Sequence, residues 1–393
     1  RARARALGPD VSVAIVAVDH AAGEIRARVA SSDYFDRHRA GQVDMSQALR
    51  SPGSALKPFI YGLAFEDGLV HPETLIEDRP ARFGNYAPEN FDLTFQGTVT
   101  VRKALQMSLN VPAVALLDKV GTARLTARLA QAGAPLFLPR GEAPGLAMGL
   151  GGVGVKLTDL TMLYAGIARQ GGAIALAERA DDLAVARPVR RLLDPVAAWY
   201  VGNVLMGTPP PEHGAQNRVA FKTGTSYGYR DAWAVGFDGR RTIGVWVGRA
   251  DGASVPGLVG RTAAAPILFD AFARSGQAAP LPPAPKGAIV SPTARLPRPM
   301  QRFAAQEESH VPRILYPPNG ARIELSQMGG KVEPLALKIG GGAEPFIVMV
   351  NGAPHAPPSG RRLVLIDPDG PGFVRVTVMD SKGLSDSVLV RLQ

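Results

Sequence analysis

The chain has 393 residues, of which 46% are hydrophobic and 20% are charged, a balance typical of a globular protein rather than of a disordered chain. It contains no cysteine, which excludes disulfides, thiolate metal sites and a cysteine nucleophile. The formal net charge of +10 comes from scattered arginines rather than from Lys/Arg clusters interleaved with aromatic residues, so no nucleic-acid partner is expected.

The sequence shows neither a membrane helix nor a signal peptide. The longest uncharged apolar run, 143–155, is interrupted by five glycines and a proline. It is also shorter than the roughly 18 residues that suggest a membrane span. If the native protein is anchored, we expect the anchor to lie upstream of these residues.

The sequence pattern of the first 275 residues predicts strands at both ends of this region, with helices between them. The strands, recognised by β-rich composition at 11–18 and by a period of two in the others, are 11–18, 24–29, 219–226, 232–237 and 242–249. The helices are 54–67, 101–118, 157–169 and 263–274. Residues 71–100 are rich in Pro, Asn, Asp and Gly and are expected to form long surface connections. Together these elements predict an α/β (α+β) domain, with one antiparallel sheet and helices on both of its faces.

The composition changes after residue 275. Prolines dominate 276–312, which predicts a stiff linker. About seven short strands separated by turns follow in 313–393, the pattern of a small all-β immunoglobulin-like sandwich. We therefore expect a domain over 1–275, a linker over 276–312 and a β-sandwich over 313–393.

The helix predicted from Ser54 contains a charge that needs a partner. Lys57 is the only charged residue between Pro52 and Phe65, and a helix that is apolar nearly all round is buried. Lysine is almost never fully buried unless it is paired. Ser54 lies three residues before Lys57, on the same helical face. A neutral Lys57 could accept the hydroxyl proton of Ser54, which predicts an activated serine nucleophile.

Two further motifs carry polar groups that the fold alone does not require. Ser108-Leu109-Asn110 lies in the second predicted helix, where local hydrogen bonds to the backbone near Pro112 explain it equally well. Lys222-Thr223-Gly224-Thr225-Ser226 lies at a strand and would make poor core. Because Gly224 has no side chain, an extended peptide could lie against this strand, and the cation and the hydroxyls could bind its carboxylate.

The order Ser-x-x-Lys, Ser-x-Asn and Lys-Thr-Gly resembles that of the penicillin-binding transpeptidases and serine β-lactamases. The longer sequence around the first and third motifs is similar to class A penicillin-binding proteins of the 1C type, which also carry a small β domain after the transpeptidase. These two stretches are Arg50-Ser51-Pro52-Gly53-Ser54-Ala55-Leu56-Lys57-Pro58-Phe59 and Lys222-Thr223-Gly224-Thr225-Ser226-Tyr227-Gly228-Tyr229-Arg230-Asp231-Ala232-Trp233-Ala234. The resemblance covers nearly the whole chain.

The resemblance implies a D,D-transpeptidase that crosslinks peptidoglycan stem peptides through a serine acyl-enzyme and is acylated by β-lactams at Ser54. It implies no metal and no cofactor. The catalytic residues would be Ser54 as nucleophile, Lys57 as base, Ser108 as proton relay and Lys222 as the cation that polarises the relay. The substrate-binding residues would be Asn110, Thr223, Gly224 and Thr225. The backbone N–H groups of Ser54 and Thr225 would form the oxyanion hole.

The resemblance also implies a cellular context. Class A proteins carry a membrane helix and a glycan-polymerising domain before the transpeptidase, and neither occurs in these residues. The expected location is the periplasmic face of the inner membrane. Residues 313–393 would bind a periplasmic protein partner.

Two other functions stay open. A β-lactamase of the comparable class needs a Glu-x-x-x-Asn arrangement between the second and third motifs, and Glu142, Glu178 and Glu212 have no asparagine four residues on. We therefore expect slow release of a penicilloyl adduct. A non-catalytic or weakly catalytic scaffold would instead recruit cell-wall partners through the β domain. The six histidines are too dispersed to indicate a zinc site or a Ser-His-Asp hydrolase.

Overall fold

The computed structural model describes residues 1–393 except 84–85, 139–143, 213, 304–311, 326, 329–330, 333, 356, 358 and 369. Glu142 and the linker residues 304–311 therefore lie outside the described residues. The chain divides into two compact units, Arg1–Ala305 and Gln306–Gln393.

In its described residues, the first unit combines helices with a central sheet and two small strand pairs, β3 with β4 and β5 with β6. Its helices are α1 (Ala2–Leu7), α2 (Lys57–Glu66), α3 (Val101–Gln106), α4 (Asn110–Val120), α5 (Thr122–Gln131), α6 (Leu157–Ala168), α7 (Ala180–Ala184), α8 (Pro195–Met206), α9 (Ala265–Arg274) and α10 (Arg298–Gln301). Its strands are β1 (Val11–Asp19), β2 (Glu24–Val29), β3 (Leu75–Asp78), β4 (Gly97–Thr100), β5 (Gly172–Ala173), β6 (Arg190–Arg191), β7 (Ala220–Thr225), β8 (Asp231–Phe237) and β9 (Arg241–Arg249). Short 3₁₀ turns span Gly53–Leu56, Leu146–Leu150 and Thr293–Arg295, and a π-helical turn spans Gly260–Ala264.

The central sheet is antiparallel and has the strand order β2-β1-β9-β8-β7. The N-terminal hairpin pairs with the late strands, since β1 lies beside β9 from Val11 opposite Arg249 to Asp19 opposite Arg241. This arrangement confirms the predicted joining of the two ends of the region in one sheet.

Helices cover both faces of this sheet, as the sequence predicts. Successive side chains of a strand point to opposite faces. On β8, Trp233 and Val235 therefore join the core that contains α2, α6 and α8, whereas Ala232 and Ala234 join a second core with α9. The sheet thus separates two hydrophobic layers, and the larger layer surrounds α2.

Helix α2 is buried on all sides. Every residue from Lys57 to Phe65 is buried, and α4 and α8 pack against the helix. The α-helix begins at Lys57 rather than at Ser54, because the 3₁₀ turn Gly53–Leu56 precedes it. It ends at Glu66, just before Gly68, which has a left-handed φ of +66°.

The predicted single helix over 101–118 is wrong. The structure has two helices, α3 and α4, which are separated at Met107–Leu109, and Ser108 has a left-handed φ of +63°. Pro112 lacks an N–H group and lies in the first turn of α4, where that loss is tolerated.

The prediction that residues 71–100 are surface connections is also wrong in part. Strands β3 and β4 pair within this segment, and the side chains of Asp78 and Asn90 are 0% and 3% exposed. Helices α5 and α8 have no counterpart among the predicted helices. Most of α8 is apolar, so it lacks the one-sided apolar stripe that identifies a surface helix.

The proline-rich segment 276–312 falls on both sides of the division between the two units. Its residues up to Phe303 lie along the first unit: Ile289 N donates to the Tyr200 hydroxyl at 2.7 Å, and Phe303 N donates to Leu75 O at 2.8 Å. The domain limits 1–275 and 313–393 stay a prediction.

The second unit is a β-sandwich, which confirms the predicted architecture. Its strands are β10 (Arg313–Tyr316), β11 (Arg322–Ile323), β12 (Gln327–Met328), β13 (Lys331–Val332), β14 (Leu335–Gly340), β15 (Ile347–Val350), β16 (Ala353–Pro354), β17 (Leu363–Ile366), β18 (Gly372–Met379) and β19 (Ser385–Leu392). One sheet has the order β10-β14-β17 and the other β11-β19-β18-β15-β16. Alternate residues of both sheets, among them Leu337, Val376 and Val378, form the core between them.

Replacing Gly244 by alanine tests how closely α6 packs on the central sheet. A Cβ atom at Gly244 would lie 2.1 Å from Thr161 Oγ1, so α6 would have to shift. We expect a loss of about 1–3 kcal/mol in the free energy of unfolding, measured by denaturant titration, because overpacking has this cost. The control is Gly154→Ala, whose Cβ would meet Leu49 Cβ at an ordinary 3.5 Å. Equal stability of both variants would contradict the packing of α6 described here.

Candidate active site

Ser54 lies on a turn that other parts of the first unit hold in place. The side chain of Trp233 donates to Ser51 O at 2.7 Å, and the Tyr164 hydroxyl donates to Ala55 O at 2.8 Å. Ser51 Oγ in turn donates to the carbonyl of Gly151 at 2.6 Å. The residues on either side of Ser54 are thus fixed, while Ser54 itself is partly exposed.

The same turn packs closely against the backbone of strand β7. A Cβ atom at Gly224 would lie 2.1 Å from Pro52 O, and one at Gly53 would lie 2.2 Å from Thr225 O. Gly53 also has a left-handed φ of +52°, which favours glycine. The absence of a side chain at Gly224 therefore brings the serine turn against the third motif. A contact between Gly224 and a substrate stays a prediction.

Lys57 is fully buried and its ammonium group has three oxygen acceptors. Nζ donates to Ser108 O at 2.6 Å, to Leu109 O at 3.1 Å and to Asn110 Oδ1 at 2.5 Å. The two carbonyls are available because the chain leaves helical conformation between α3 and α4. The break in the predicted helix thus creates the binding site for Lys57.

Opposing influences act on the charge of Lys57. Three acceptors suit a protonated amine, which has three donors. Burial and then the positive charge of Lys222 lower the pKa of Lys57 well below its ordinary value, while the Asp78 carboxylate opposes that shift. Among the described residues, Ser54 Oγ is not one of the hydrogen-bond partners of Lys57 Nζ. A proton transfer from Ser54 therefore requires Nζ to exchange one of its present partners.

Lys222 is the second buried cation of the site, with 2% of its surface exposed. Its Nζ donates to Ser108 Oγ at 2.7 Å and to Thr223 O at 2.9 Å. Burial lowers the pKa of Lys222 to about 7. Ser108 consequently joins the two lysines, since its carbonyl binds Lys57 and its hydroxyl binds Lys222.

The side chains of two further candidate residues, Asn110 and Thr225, already have partners within the protein. The Asn110 amide gives its oxygen to Lys57 and donates through Nδ2 to Glu89 O at 2.5 Å. Thr225 Oγ1 accepts from Gly260 N at 3.0 Å. The structure thus brings Lys57, Ser108, Asn110 and Lys222 into one hydrogen-bonded cluster, and packs the Ser54 turn on the strand that carries Lys222.

The sequence analysis missed the polar residues behind this cluster. Asn90 Oδ1 accepts from Asn110 N at 2.7 Å, and Asn90 Nδ2 donates to the Asp78 carboxylate. In the sequence both residues belong to a stretch typical of turns, so composition gives no signal of their burial. Among the described residues, no group of three His, Asp or Glu side chains could hold a metal ion. No helix in the described part of the chain has both the length and the apolar surface needed to cross a membrane.

Comparison of the sequence with known families gives two matches. Residues 13–134 match the penicillin binding protein transpeptidase domain, and residues 301–392 match the Penicillin-Binding Protein C-terminus Family. The chain is 46% identical over 266 residues to penicillin-binding protein 1C of Escherichia coli, which covers 67% of this chain and 34% of that protein. It is 31% identical to penicillin-binding protein 1B of Vibrio cholerae over 63% of this chain and 34% of that protein. The match thus spans about a third of the length of these curated relatives.

Solved structures show the same fold. The PonA1 protein of Mycobacterium tuberculosis in complex with penicillin V aligns with a TM-score of 0.61 and 21% identity, covering 73% of this chain and 86% of that chain. Penicillin-binding protein 1A of Haemophilus influenzae aligns with a TM-score of 0.59 and 19% identity, covering 71% of this chain and 50% of that chain.

Removing the charge of Lys222 should change how stability depends on pH. The pKa of Lys222 is about 7 in the folded protein and about 10.4 in an unfolded chain. Between these values the unfolded state binds more protons, so the free energy of unfolding rises with pH. We expect Lys222→Met to lose up to about 1.4 kcal/mol per pH unit of that slope in denaturant titrations between about pH 7.5 and 9.5.

Lys119→Met is the matched control, because Lys119 is an exposed lysine of the same unit. It should keep the slope of the unaltered protein. A slope that is the same with and without Lys222 would show that this lysine keeps an ordinary pKa despite its burial.

Proposed function

The chain belongs to the penicillin-binding proteins and carries their transpeptidase domain, and on that premise we propose that it is a serine D,D-transpeptidase that crosslinks peptidoglycan stem peptides. The observation that supports the proposal most is the cluster of two buried lysines joined by Ser108, next to a fixed turn that carries a partly exposed serine. Two neighbouring cations hinder each other's protonation, which is how a lysine becomes a base near neutral pH.

In the acylation step, Ser54 Oγ attacks the carbonyl carbon of the penultimate D-alanine. Neutral Lys57 takes the Ser54 proton, and the bond between that carbonyl carbon and the nitrogen of the terminal D-alanine breaks. Ser108 Oγ passes its proton to the leaving nitrogen and takes in exchange the proton that Lys57 received from Ser54, while Lys222, bonded to Ser108 Oγ at 2.7 Å, polarises that hydroxyl. The products are an ester on Ser54 and free D-alanine.

In the second step an amine of a neighbouring stem peptide attacks the ester carbonyl. The amine loses its proton to the same lysine and serine groups, Ser54 Oγ recovers a proton as it leaves, and a new amide bond forms the crosslink. The backbone N–H groups of Ser54 and Thr225 bind the oxyanion in both steps. Loss of one such donor costs about 10²–10³ in rate in known serine enzymes.

Substrate binding in this proposal involves the third motif and Asn110. Thr223 and Thr225 hold the terminal carboxylate, and an extended donor peptide lies along β7 beside Gly224. Asn110, whose amide oxygen binds Lys57, turns its amide toward the peptide backbone when the substrate enters. β-Lactams, which present a strained amide to the same serine, acylate Ser54.

The proposal extends to location and partners. Peptidoglycan lies outside the inner membrane, so the domain would work at its periplasmic face. The β-sandwich unit, which matches the C-terminal family of penicillin-binding proteins, would bind a periplasmic protein partner.

Mass spectrometry after incubation with a penicillin tests the nucleophile. We expect the unaltered chain to gain the mass of one penicillin and Ser54→Ala to gain none, because in this mechanism Ser54 alone is the nucleophile and Ser108 only relays a proton. Ser275→Ala, at the end of α9, should be acylated like the unaltered chain. A stable adduct on Ser54→Ala would refute the assignment. Dimeric stem peptides, formed from a polymerised pentapeptide substrate, would distinguish a transpeptidase from a scaffold.

The lifetime of the adduct separates transpeptidase from β-lactamase. The sequence between the second and third motifs lacks the Glu-x-x-x-Asn arrangement that activates water in the comparable β-lactamases. After removal of free penicillin, we therefore expect the adduct to persist over many minutes in a mass-spectrometric time course. Multiple-turnover hydrolysis of penicillin by the pure protein would contradict this expectation.

A further inference from the structure

A buried carboxylate lies behind the lysine cluster and takes no part in the mechanism above. Asp78 ends strand β3 and is 0% exposed. Its two oxygens accept from Asn90 Nδ2, each at 2.9 Å, and one of them also accepts from Gln96 N at 2.8 Å. A buried carboxylate is costly unless its acceptors are used, and here they are used by two donors from one loop.

These bonds fix the amide of Asn90 in one orientation. Nδ2 must face Asp78 and Thr94 O, so Oδ1 faces the opposite way and accepts from Asn110 N at 2.7 Å. Asn110 is the first residue of α4, where a backbone N–H has no partner within the helix. Asn90 therefore caps α4 from outside the helix.

The capped residue is the one whose side chain binds Lys57. Asn110 Oδ1 lies 2.5 Å from Lys57 Nζ, and the carbonyls just before α4 supply the other two acceptors of that amine. All three oxygens that hold Lys57 therefore belong to the segment that Asn90 ties down.

We propose that Asp78 and Asn90 are positioning residues for the acyl transfer: Asp78 orients Asn90, and Asn90 fixes the start of α4 and with it the place of Lys57. The proposal rests on the proposed function of this site. Asp78 also has an electrostatic effect: among the described residues, Lys222 from β7 and Asp78 from β3 act on the charge of Lys57, in opposite directions.

Two single variants and their combination separate these effects. Asn90→Asp removes the donor to Asp78 and sets two carboxylates face to face. Asp78→Asn removes the charge, while an amide oxygen in the place of Oδ2 can still accept from both donors, Asn90 Nδ2 and Gln96 N. In the double variant an amide at 78 again donates to a carboxylate at 90, which still accepts from Asn110 N, so the polarity of the pair is reversed and its hydrogen bond restored.

The measurement is the second-order rate of acylation by a penicillin across pH. We expect Asn90→Asp to lower the rate at least about tenfold, because a misplacement of about 1 Å costs up to about 10²-fold. The double variant should recover most of that loss. The plot of this rate against pH should have an acid limb, which reports the deprotonation of Lys57, and an alkaline limb, which reports that of Lys222. In Asp78→Asn the acid limb should move to lower pH, because the carboxylate that favours the charged Lys57 is gone, and the alkaline limb should stay in place.

Asp238→Asn is the matched control, because Asp238 is also 0% exposed but lies at the β8–β9 turn, bonded to Arg241. The variant should be less stable, but its folded form should keep the acylation rate and both limbs of the pH profile of the unaltered protein. If Asn90→Asp does not fold, the acid limb of Asp78→Asn still decides the electrostatic part.

Variants that fold and keep the unaltered rate and pH profile would overturn the positioning role, as would a double variant no better than Asn90→Asp. If the unaltered protein is not acylated, the proposed function is wrong. If it is acylated and the rate does not depend on Asp78 and Asn90, only the positioning role is wrong.

Discussion

The first unit depends on one costly interaction, the burial of the Lys57 amine inside an apolar helix. A charged amine away from water must find acceptors or lose its proton. The chain supplies three acceptors by interrupting the helical path at Ser108, whose left-handed backbone turns two carbonyls toward Nζ. It also places a second buried cation, Lys222, close enough to disfavour the proton. The three acceptors thus fix the position of the Lys57 amine, while burial and Lys222 favour the loss of its proton.

The position of this amine relative to Ser54 depends on contacts between backbones. The serine turn rests on β7 because Gly53 and Gly224 have no side chains, and β7 also carries Lys222. One rigid contact therefore sets the distance between the serine turn and the second cation. Behind the amine, Asp78 and Asn90 fix the segment that supplies its acceptors. Fold and site share these constraints, because the elements that carry the polar groups are the ones that pack around α2.

Much of this arrangement could be predicted from the sequence, for physical reasons that differ between elements. The sheet and α6 follow from strong periodicity, and the burial of Lys57 follows from the absence of other charges around it. The break at Ser108 could not be predicted, because residues 101–118 have good helical character and the break is stabilised by a distant lysine. The burial of Asp78 and Asn90 was hidden for a similar reason, since both residue types favour turns and only tertiary partners bury them.

The central claim is that Lys57 is a buried amine whose proton is easily lost, and NMR can measure this directly. Lysine side chains labelled with ¹⁵N would be titrated in the intact chain, with Lys57→Met identifying the signal by its loss. We expect the Lys57 signal to titrate well below the ordinary lysine pKa of about 10.4. Titration of Lys57 at that ordinary value would contradict both its proposed role as the base and the electrostatic repulsion by Lys222.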